Sequence, residues 1–218
     1  MRVLVFGGHG KVARLLTPLL VERGHTVTAV IRNPDHATDV TTDGAVARVA
    51  DVESLDVAGL TDLVRGQDAV VWSAGAGGGN PARTWAVDRD AAIASMRAAE
   101  AAGVDRYVMV SYFGAGPGHG VPEDEPFFAY AEAKTAADAA LADSSLAWTI
   151  LRPSRLTLDP PTGRIETSRD GAGPGAVTRA DVALVVADTL ARPALAGQIV
   201  EFNNGDRPVP EVLDALPH

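Results

Sequence analysis

The chain contains no cysteine. That excludes disulfides and every metal site built on thiolates. Lysine is almost as scarce: Lys11 and Lys134 are the only two, against 17 arginines. A positive surface is missing too, since the formal net charge is −9. Nonspecific nucleic-acid binding depends on releasing counterions to a basic face, so that function class is disfavoured. No apolar run approaches the roughly 20 residues that a membrane-spanning helix needs. The amino-terminal apolar stretch breaks at Gly7, too early for a secretory signal. No His/Asp/Glu grouping has metal-ligand spacing. What remains is a chain of 218 residues with 46% hydrophobic content. It reads as one domain over 1–218, with a cytoplasmic location and neither membrane nor nucleic acid as partner.

The richest stretch is the first thirty-three residues. Arg2 to Phe6 is dense enough in apolar side chains for a buried parallel strand. It stops at Gly7-Gly8-His9-Gly10. Val12, Leu15, Leu16, Leu19 and Leu20 then recur at three- and four-residue spacing, one face of a helix. Gly24 closes that helix, and His25 to Ile31 is a second strand. A βαβ unit with a glycine turn at its first strand–helix junction can hold a pyrophosphate on backbone N–H groups and the positive end of a helix dipole. In Gly7-x-x-Gly10-x-x-Ala13, Gly7 permits the tight turn. Gly10 lets the backbone approach phosphates, and Ala13 allows close helix–strand contact.

Alternation continues. Strands are expected at 45–50, 68–73, 104–110, 147–151 and 198–202. Helices are expected at 57–64, 81–102, 126–142 and 179–190, the last capped by Thr178. Repeated βα order predicts an α/β fold, a doubly wound, mostly parallel sheet with helices on both faces. A second glycine loop spans 75–79. Two irregular glycine-rich loops, 113–124 and 152–177, are the expected walls of a substrate pocket.

At the end of the second strand, where an acid would bond a ribose 2′-OH and select NAD, the sequence has Arg32. A fixed cation with a planar fork suits a phosphate, which predicts NADP, with NAD as the alternative. Lys11, inside the turn, adds charge near the phosphates. Asp35, three residues past Arg32, offers weak resistance. Farther on, Tyr130 and Lys134 lie four apart on one helix face. A tyrosine with pKa about 10 is a poor acid–base catalyst at neutral pH, and a nearby ammonium would lower it. His9 reads as a turn residue, His119 as part of a solvated loop, and Trp72 and Trp148 as core.

With GGHGKVA (7–13), Asp51 after the third strand, WSAGAG (72–77), RYVMVSY (106–112), YAEAK (130–134) and TILRPSRLT (149–157), the chain resembles the short-chain dehydrogenase/reductase superfamily over nearly its whole length. The resemblance is to its atypical NAD(P)-binding members, related to NAD-dependent epimerase/dehydratases and NmrA-like proteins. It implies that Tyr130 is the acid–base residue and Lys134 its pKa-lowering, ribose-binding partner. It implies a coenzyme site of Gly7, Gly8, His9, Gly10, Lys11, Val12 and Arg32. Asp51 and Val52 would contact adenine, Ser73, Ala74 and Gly75 would lie beside the adenosine and phosphates, and the Arg152-Pro153-Ser154 corner, with Pro153, would lie near the nicotinamide. The family's active-site Asn position falls at Asp88. Its catalytic hydroxyl falls at Ser111 or, one residue later, Tyr112, with Ser111 preferred.

Three functions fit this pattern. The first is an NADP(H)-dependent oxidoreductase or epimerase acting on a small molecule. The second is a non-catalytic NADP(H) sensor of NmrA-like type. The third is a flavin- or tetrapyrrole-type reductase. The Ala-rich helices suit a homodimer and a monomer equally.

Overall fold

The computed structural model describes residues 1–77 and 80–217. Gly78 and Gly79, the end of the second glycine loop, lie outside the described residues. The chain opens with β1 (Arg2–Phe6), α1 (Lys11–Glu22), β2 (Thr26–Ile31), α2 (Ala37–Thr42), β3 (Val46–Val49), α3 (Val57–Val64) and β4 (Ala69–Trp72). It continues with α4 (Pro81–Thr84), α5 (Ala92–Ala102), β5 (Arg106–Val110), α6 (Phe128–Ala142) and β6 (Ala147–Pro153). The last part holds β7 (Arg155–Thr157), β8 (Arg164–Thr167), β9 (Ala176–Thr178), α7 (Arg179–Leu190), β10 (Gln198–Asn204), β11 (Arg207–Pro208) and α8 (Val209–Asp214).

The main sheet runs β11-β8-β10-β6-β5-β4-β1-β2-β3. From β10 to β3 every neighbouring pair is parallel, and only β8 and β11 at one edge are antiparallel. This is the expected Rossmann-like α/β architecture. The strand order reverses direction between β1 and β4, and in such sheets the crevice at that switch point is where ligands bind.

Side-chain alternation along β1 divides the core into two layers. Val3 and Val5 face one layer with Ala13, Leu16 and Leu20 of α1 and Val182, Val185 and Val186 of α7. Leu4 and Phe6 face the other with Leu60 of α3, Trp72, Met96 of α5, and Leu141 of α6. Each fully buried Leu or Val contributes on the order of 1.5–3 kcal/mol. The two layers therefore fix β1 from both sides and set the height at which its carboxyl end emerges. The Ala-rich composition of α6 has a local reason: Ala131, Ala133 and Ala137 are all fully buried, so the helix lies close to the sheet.

Three differences from the sequence reading have physical causes. The expected single helix over 81–102 contains a π-helical segment, Trp85–Ala91, between α4 and α5. Widening a helix by one residue per turn re-aims the side chains around it. The expected irregular loop over 152–177 contains β7, β8 and β9, with β7 and β9 pairing as a small parallel sheet. Short strands in a Gly/Pro-rich stretch carry too little periodicity to be read. Finally, 198–202 is not the last element, since β11 and α8 follow. Thr178 does cap α7, its hydroxyl oxygen accepting from the Asp181 N–H.

Asp181 fastens this last region. Buried in the first turn of α7, it accepts from the N–H groups of Thr162 (3.0 Å) and Gly163 (2.7 Å), the Thr178 hydroxyl (2.9 Å) and the Asn204 amide. These bonds outweigh burial and hold its carboxyl below the ordinary aspartate range.

Gly8 donates its N–H to Val30 O (2.9 Å). A Cβ at position 8 would lie 2.6 Å from the Ala29 Cβ and 2.9 Å from its Cα. Gly8→Ala should therefore cost about 1–3 kcal/mol by forcing the turn off β2. Urea unfolding followed by circular dichroism checks this, and an unchanged midpoint would contradict it.

Candidate active site and coenzyme cleft

At the carboxyl ends of β1 and β4, two loops press together. Gly7 has φ +76°, and a Cβ there would fall 2.6 Å from the Ala74 Cα. Both its conformation and its contact therefore require glycine. Gly10 precedes α1 as N-cap, without any side-chain hydrogen bond to the cap and without an acidic residue in the first turn. The first backbone N–H groups of a helix have no partner within it, and here no side chain is spent on capping them. The helix dipole adds positive potential at the same point.

Two cavities open on either side of these loops and share Gly10 and the Ser73–Gly77 stretch as a wall. The first, about 580 Å³, is lined by Lys11, Val12, Asp88, Ser111, Phe127, Tyr130, Lys134, Leu156 and Arg179 among others. The second, about 400 Å³, is lined by Gly7, His9, Arg32, Asn33, His36, Asp51, Val52, Glu53 and Arg83 among others. A third, about 380 Å³, adjoins the first through Ser111, Phe127, Tyr130 and Leu156 and includes Tyr112, Pro153, Ser154 and Arg155. The expected site residues thus gather at one end of the sheet. Gly8 is the exception: it lines none of the three cavities and serves the packing against β2.

Tyr130 and Lys134 come from α6 and meet Ser111, which follows β5, and Asp88 of the π-helical segment. Lys134 is buried, and its ammonium donates to Val110 O (2.8 Å). Burial lowers its pKa against the opposing pull of Asp138 and Asp88. Asp88 is buried as well, and its Oδ2 accepts from the Ala76 N–H (3.0 Å). A Cβ at position 75 would lie 3.1 Å from the Asp88 Oδ1, so glycine there permits the approach. Burial raises the Asp88 carboxyl, against Lys134, the Ala76 N–H and Arg83.

The expectation that Lys134 depresses the Tyr130 pKa is corrected. The phenol is held above its ordinary value by burial first, then by the negative charges of Asp88 and Asp138 and by Tyr112. Burial of the ring is the main reason, and the Lys134 ammonium that was expected to offset it is tied to a backbone carbonyl.

Sequence reading missed Asp138. It lies four residues past Lys134 and eight past Tyr130, a spacing that places all three on one helix face. Its Oδ2 accepts from the Ser111 hydroxyl (2.8 Å) and from Arg152 Nε (3.0 Å). Arg152 reaches on to Glu201 of β10 (3.4 Å). Arg152 thus belongs to a buried ionic network, while Pro153 ends β6 and Ser154 accepts from the Gly175 N–H (3.0 Å). Tyr112 packs edge-on against Phe127 and tilted against Tyr130, with ring centroids 5.2 and 5.6 Å apart.

At the coenzyme end, the second cavity contains an acid that the strand-tip reading overlooked. Glu53 Oε1 accepts from Arg32 Nη1 (3.1 Å) and from Arg83 Nη2 (2.6 Å). Asp51 braces the turn that carries it, its Oδ1 accepting from the Glu53 N–H (3.1 Å). His9, in the glycine turn, stacks on His36 with centroids 3.6 Å apart, bonds Asp39 (2.8 Å) and lines the second cavity. Asp35 lines none of these three cavities, and its N–H bonds the Asn33 side chain. His119 is corrected: its side chain is only 7% exposed, with Nε2 bonded to Glu132 (2.8 Å) and Nδ1 accepting from the Val121 N–H. It anchors its loop. Trp72 is fully buried in the core, and Trp148 packs partly buried against it.

Among the described residues no group of three or more His, Cys, Asp or Glu could hold a metal ion. None of the described helices is long and apolar enough to cross a membrane.

A glycine turn, an uncapped helix start and a long two-chambered cleft at the switch point define an NAD(P)-binding Rossmann domain. The chain matches the model of the NAD(P)H-binding family over residues 7–193 and belongs to that family. It is 31% identical to a Bacillus subtilis protein described as an uncharacterized sugar epimerase, YhfK, over 99% of this chain and 100% of that one. The solved structure of a candidate NAD-dependent epimerase/dehydratase from Bacillus halodurans is 34% identical, with a TM-score of 0.91, covering 99% of this chain and 100% of that one. ChuY, an anaerobillin reductase from Escherichia coli O157:H7, is 27% identical with a TM-score of 0.78, covering 94% and 98%. Its relatives thus include both epimerase-like and reductase proteins.

The network around Asp138 makes a prediction about pH. Burial raises this carboxyl above its unfolded value, so the folded chain holds the extra proton between the two pKa values. Stability then falls as pH rises through that window, which begins near the unfolded value of about 4. Asp138→Asn should flatten this slope. Urea midpoints taken at several pH values above 4 measure it, and parallel curves for the two proteins would contradict it.

Proposed function

We propose that this chain is an NADP(H)-dependent enzyme of oxidoreductase or epimerase type that acts on a small molecule, with Tyr130 as its proton donor. The observation that carries the reading is a shared cavity: Tyr130, Lys134, Ser111 and Asp88 line the same chamber as Gly10, Lys11 and Val12 of the glycine turn. The turn and the start of α1 would hold the pyrophosphate. Asp51 and Val52 would hold the adenine side, Arg32 the 2′-phosphate, and Ser73–Gly75 the floor between the chambers. When bound there, a nicotinamide coenzyme supplies or accepts hydride.

The chain's own residues favour one direction. A phenol held above its ordinary pKa keeps its proton at neutral pH and so can act only as a donor; the rise also weakens it as an acid, and delivery depends on the negative charge that develops on the substrate oxygen. Removing a proton first, as oxidation or the opening half of an epimerisation requires, works against the same shift. Ser111 gives its own proton to Asp138, so its free lone pairs accept from a substrate hydroxyl. Lys134, tied to Val110 O, ties α6 to β5 and keeps the phenol at the chamber wall. Support from relatives is divided in a consistent way, since one is described as an epimerase and another as a reductase.

A second reading, a non-catalytic NADP(H) sensor, has one observation in its favour: the Ser111 proton is committed to Asp138 and the phenol is not activated toward loss. One experiment separates the two. NADPH oxidation is followed with quinones, flavins, aldehydes and sugar nucleotides, beside Tyr130→Phe. The enzyme reading expects turnover that falls by about 100-fold or more in the variant, the scale of general acid catalysis. Tight NADPH binding without turnover on any substrate supports the sensor.

The coenzyme preference has its own test. Arg32→Ala should weaken NADPH by about tenfold relative to NADH, a difference of about 1.4 kcal/mol. Fluorescence titration of both reduced coenzymes reads it, and an unchanged ratio removes Arg32 from the site.

A further inference from the structure

Glu53 occupies an unusual position. One carboxylate faces two guanidinium groups, from Arg32 at the end of β2 and Arg83 on α4. Its bonds to them are unequal. Arg83 engages it through Nη2 (2.6 Å) and Nε (3.2 Å), whereas Arg32 offers a single Nη1 contact at 3.1 Å. Arg83 is also docked to the floor of the cleft, its Nη1 donating to Ala76 O (3.2 Å). Arg32 remains 56% exposed in its side chain, while Glu53 is 22% exposed. Glu53 is therefore held firmly by one arginine and loosely by the other. The loosely held one sits where a phosphate on the adenosine ribose would arrive.

We propose that Glu53 is a resident anion in the 2′-phosphate site, a competitor that shares Arg32 with the phosphate and so limits how strongly this chain prefers the phosphorylated coenzyme. This rests on the reading of Arg32 as the phosphate residue. Entry of the phosphate monoester transfers Arg32 from carboxylate to phosphate, and Arg83 keeps the displaced carboxylate neutralised. The two guanidinium groups already face the Glu53 carboxylate and, beneath it, Asp51, so the incoming dianion must share Arg32 with Glu53. A buried or half-buried anion near a second anion is costly at short range, because the effective dielectric there is well below that of water. Removing the Glu53 charge should accordingly tighten the phosphorylated ligand and leave its unphosphorylated counterpart unaffected.

Arg83 gives the proposal its specificity. Glu53 does not hang free in the cleft, where it would bond ribose hydroxyls as an NAD-selecting acid does. Its position is fixed by Arg83, which reaches both of its carboxylate oxygens, and by the Asp51 turn beneath it. A carboxylate so restrained acts on the phosphate chiefly through charge.

The test uses two nucleotides that differ only in the phosphate, 2′,5′-ADP and 5′-AMP, titrated calorimetrically against the full chain. Glu53→Gln should tighten 2′,5′-ADP by about three- to tenfold and change 5′-AMP by less than twofold. Glu53→Ala should do the same, which covers the case of a glutamine that disturbs the turn. Weaker 5′-AMP binding in the Glu53 variants would mean that the carboxylate holds ribose hydroxyls, and would overturn the proposal. So would equal affinities before and after substitution. A wild-type chain that binds both nucleotides equally, with no loss in Arg32→Ala, would instead remove the underlying NADP reading.

Discussion

The backbone at Gly7 lies against the backbone at Ala74, with no room for a methyl group between them. This contact joins the loop after β1 to the loop after β4, the two central strands from which the sheet is wound in opposite directions. Because the loops touch, the opening between their crossovers is divided into two chambers with a common floor. One receives the start of α1 and the side chains of α6, and the other receives the ends of β2 and β3. The cleft's shape thus follows from sterics at one glycine, and its depth follows from the two apolar layers that hold β1 in place.

A run of polar contacts crosses that floor. The Asp88 carboxylate holds the Ala76 N–H, the Ala76 carbonyl receives Arg83, Arg83 holds Glu53, and Glu53 meets Arg32. Charged groups at the two ends of the cleft are therefore linked through one peptide unit on each side of Ala76. The π-helical segment has its place here, since it carries Asp88 directly after the helix that carries Arg83. Local irregularity in a helix is tolerated where neighbouring groups over-determine it, and these bonds supply that constraint.

Much of the fold was legible because its signals are local. The α3 limits and the Thr178 cap depend on periodicity and on one hydroxyl, and each stands where the sequence puts it, while the α1 face holds at Val12, Leu16 and Leu20 but leaves Leu15 exposed. The clustering of Gly10, Arg32, Asp88, Ser111, Tyr130 and Lys134 was legible for a different reason, since parallel strands deliver whatever follows them to one end of the sheet. What escaped reading is pairwise and long-range. Nothing near Glu53 announces that Arg83, thirty residues later, will hold it. Nothing in the sequence tells how deeply the Tyr130 phenol is buried or that Lys134 bonds a backbone carbonyl, so the direction of the Tyr130 shift was unreadable. Asp138 had a visible signal in its helical spacing, but its role depends on Ser111 and Arg152 arriving from two separate strands.

Asp181 suggests how such a domain diversifies. The stretch between β6 and α7 forms a wall of the third cavity, yet its far end is fastened through one carboxylate to Thr162, Gly163, Thr178 and Asn204. That fastening lies outside the nucleotide cradle and shares no residue with it. A lineage can therefore lengthen, shorten or recolour the segment ahead of Thr162 while the clasp keeps its ends in register. The outer wall and the nucleotide cradle are then free to vary independently within a single polypeptide.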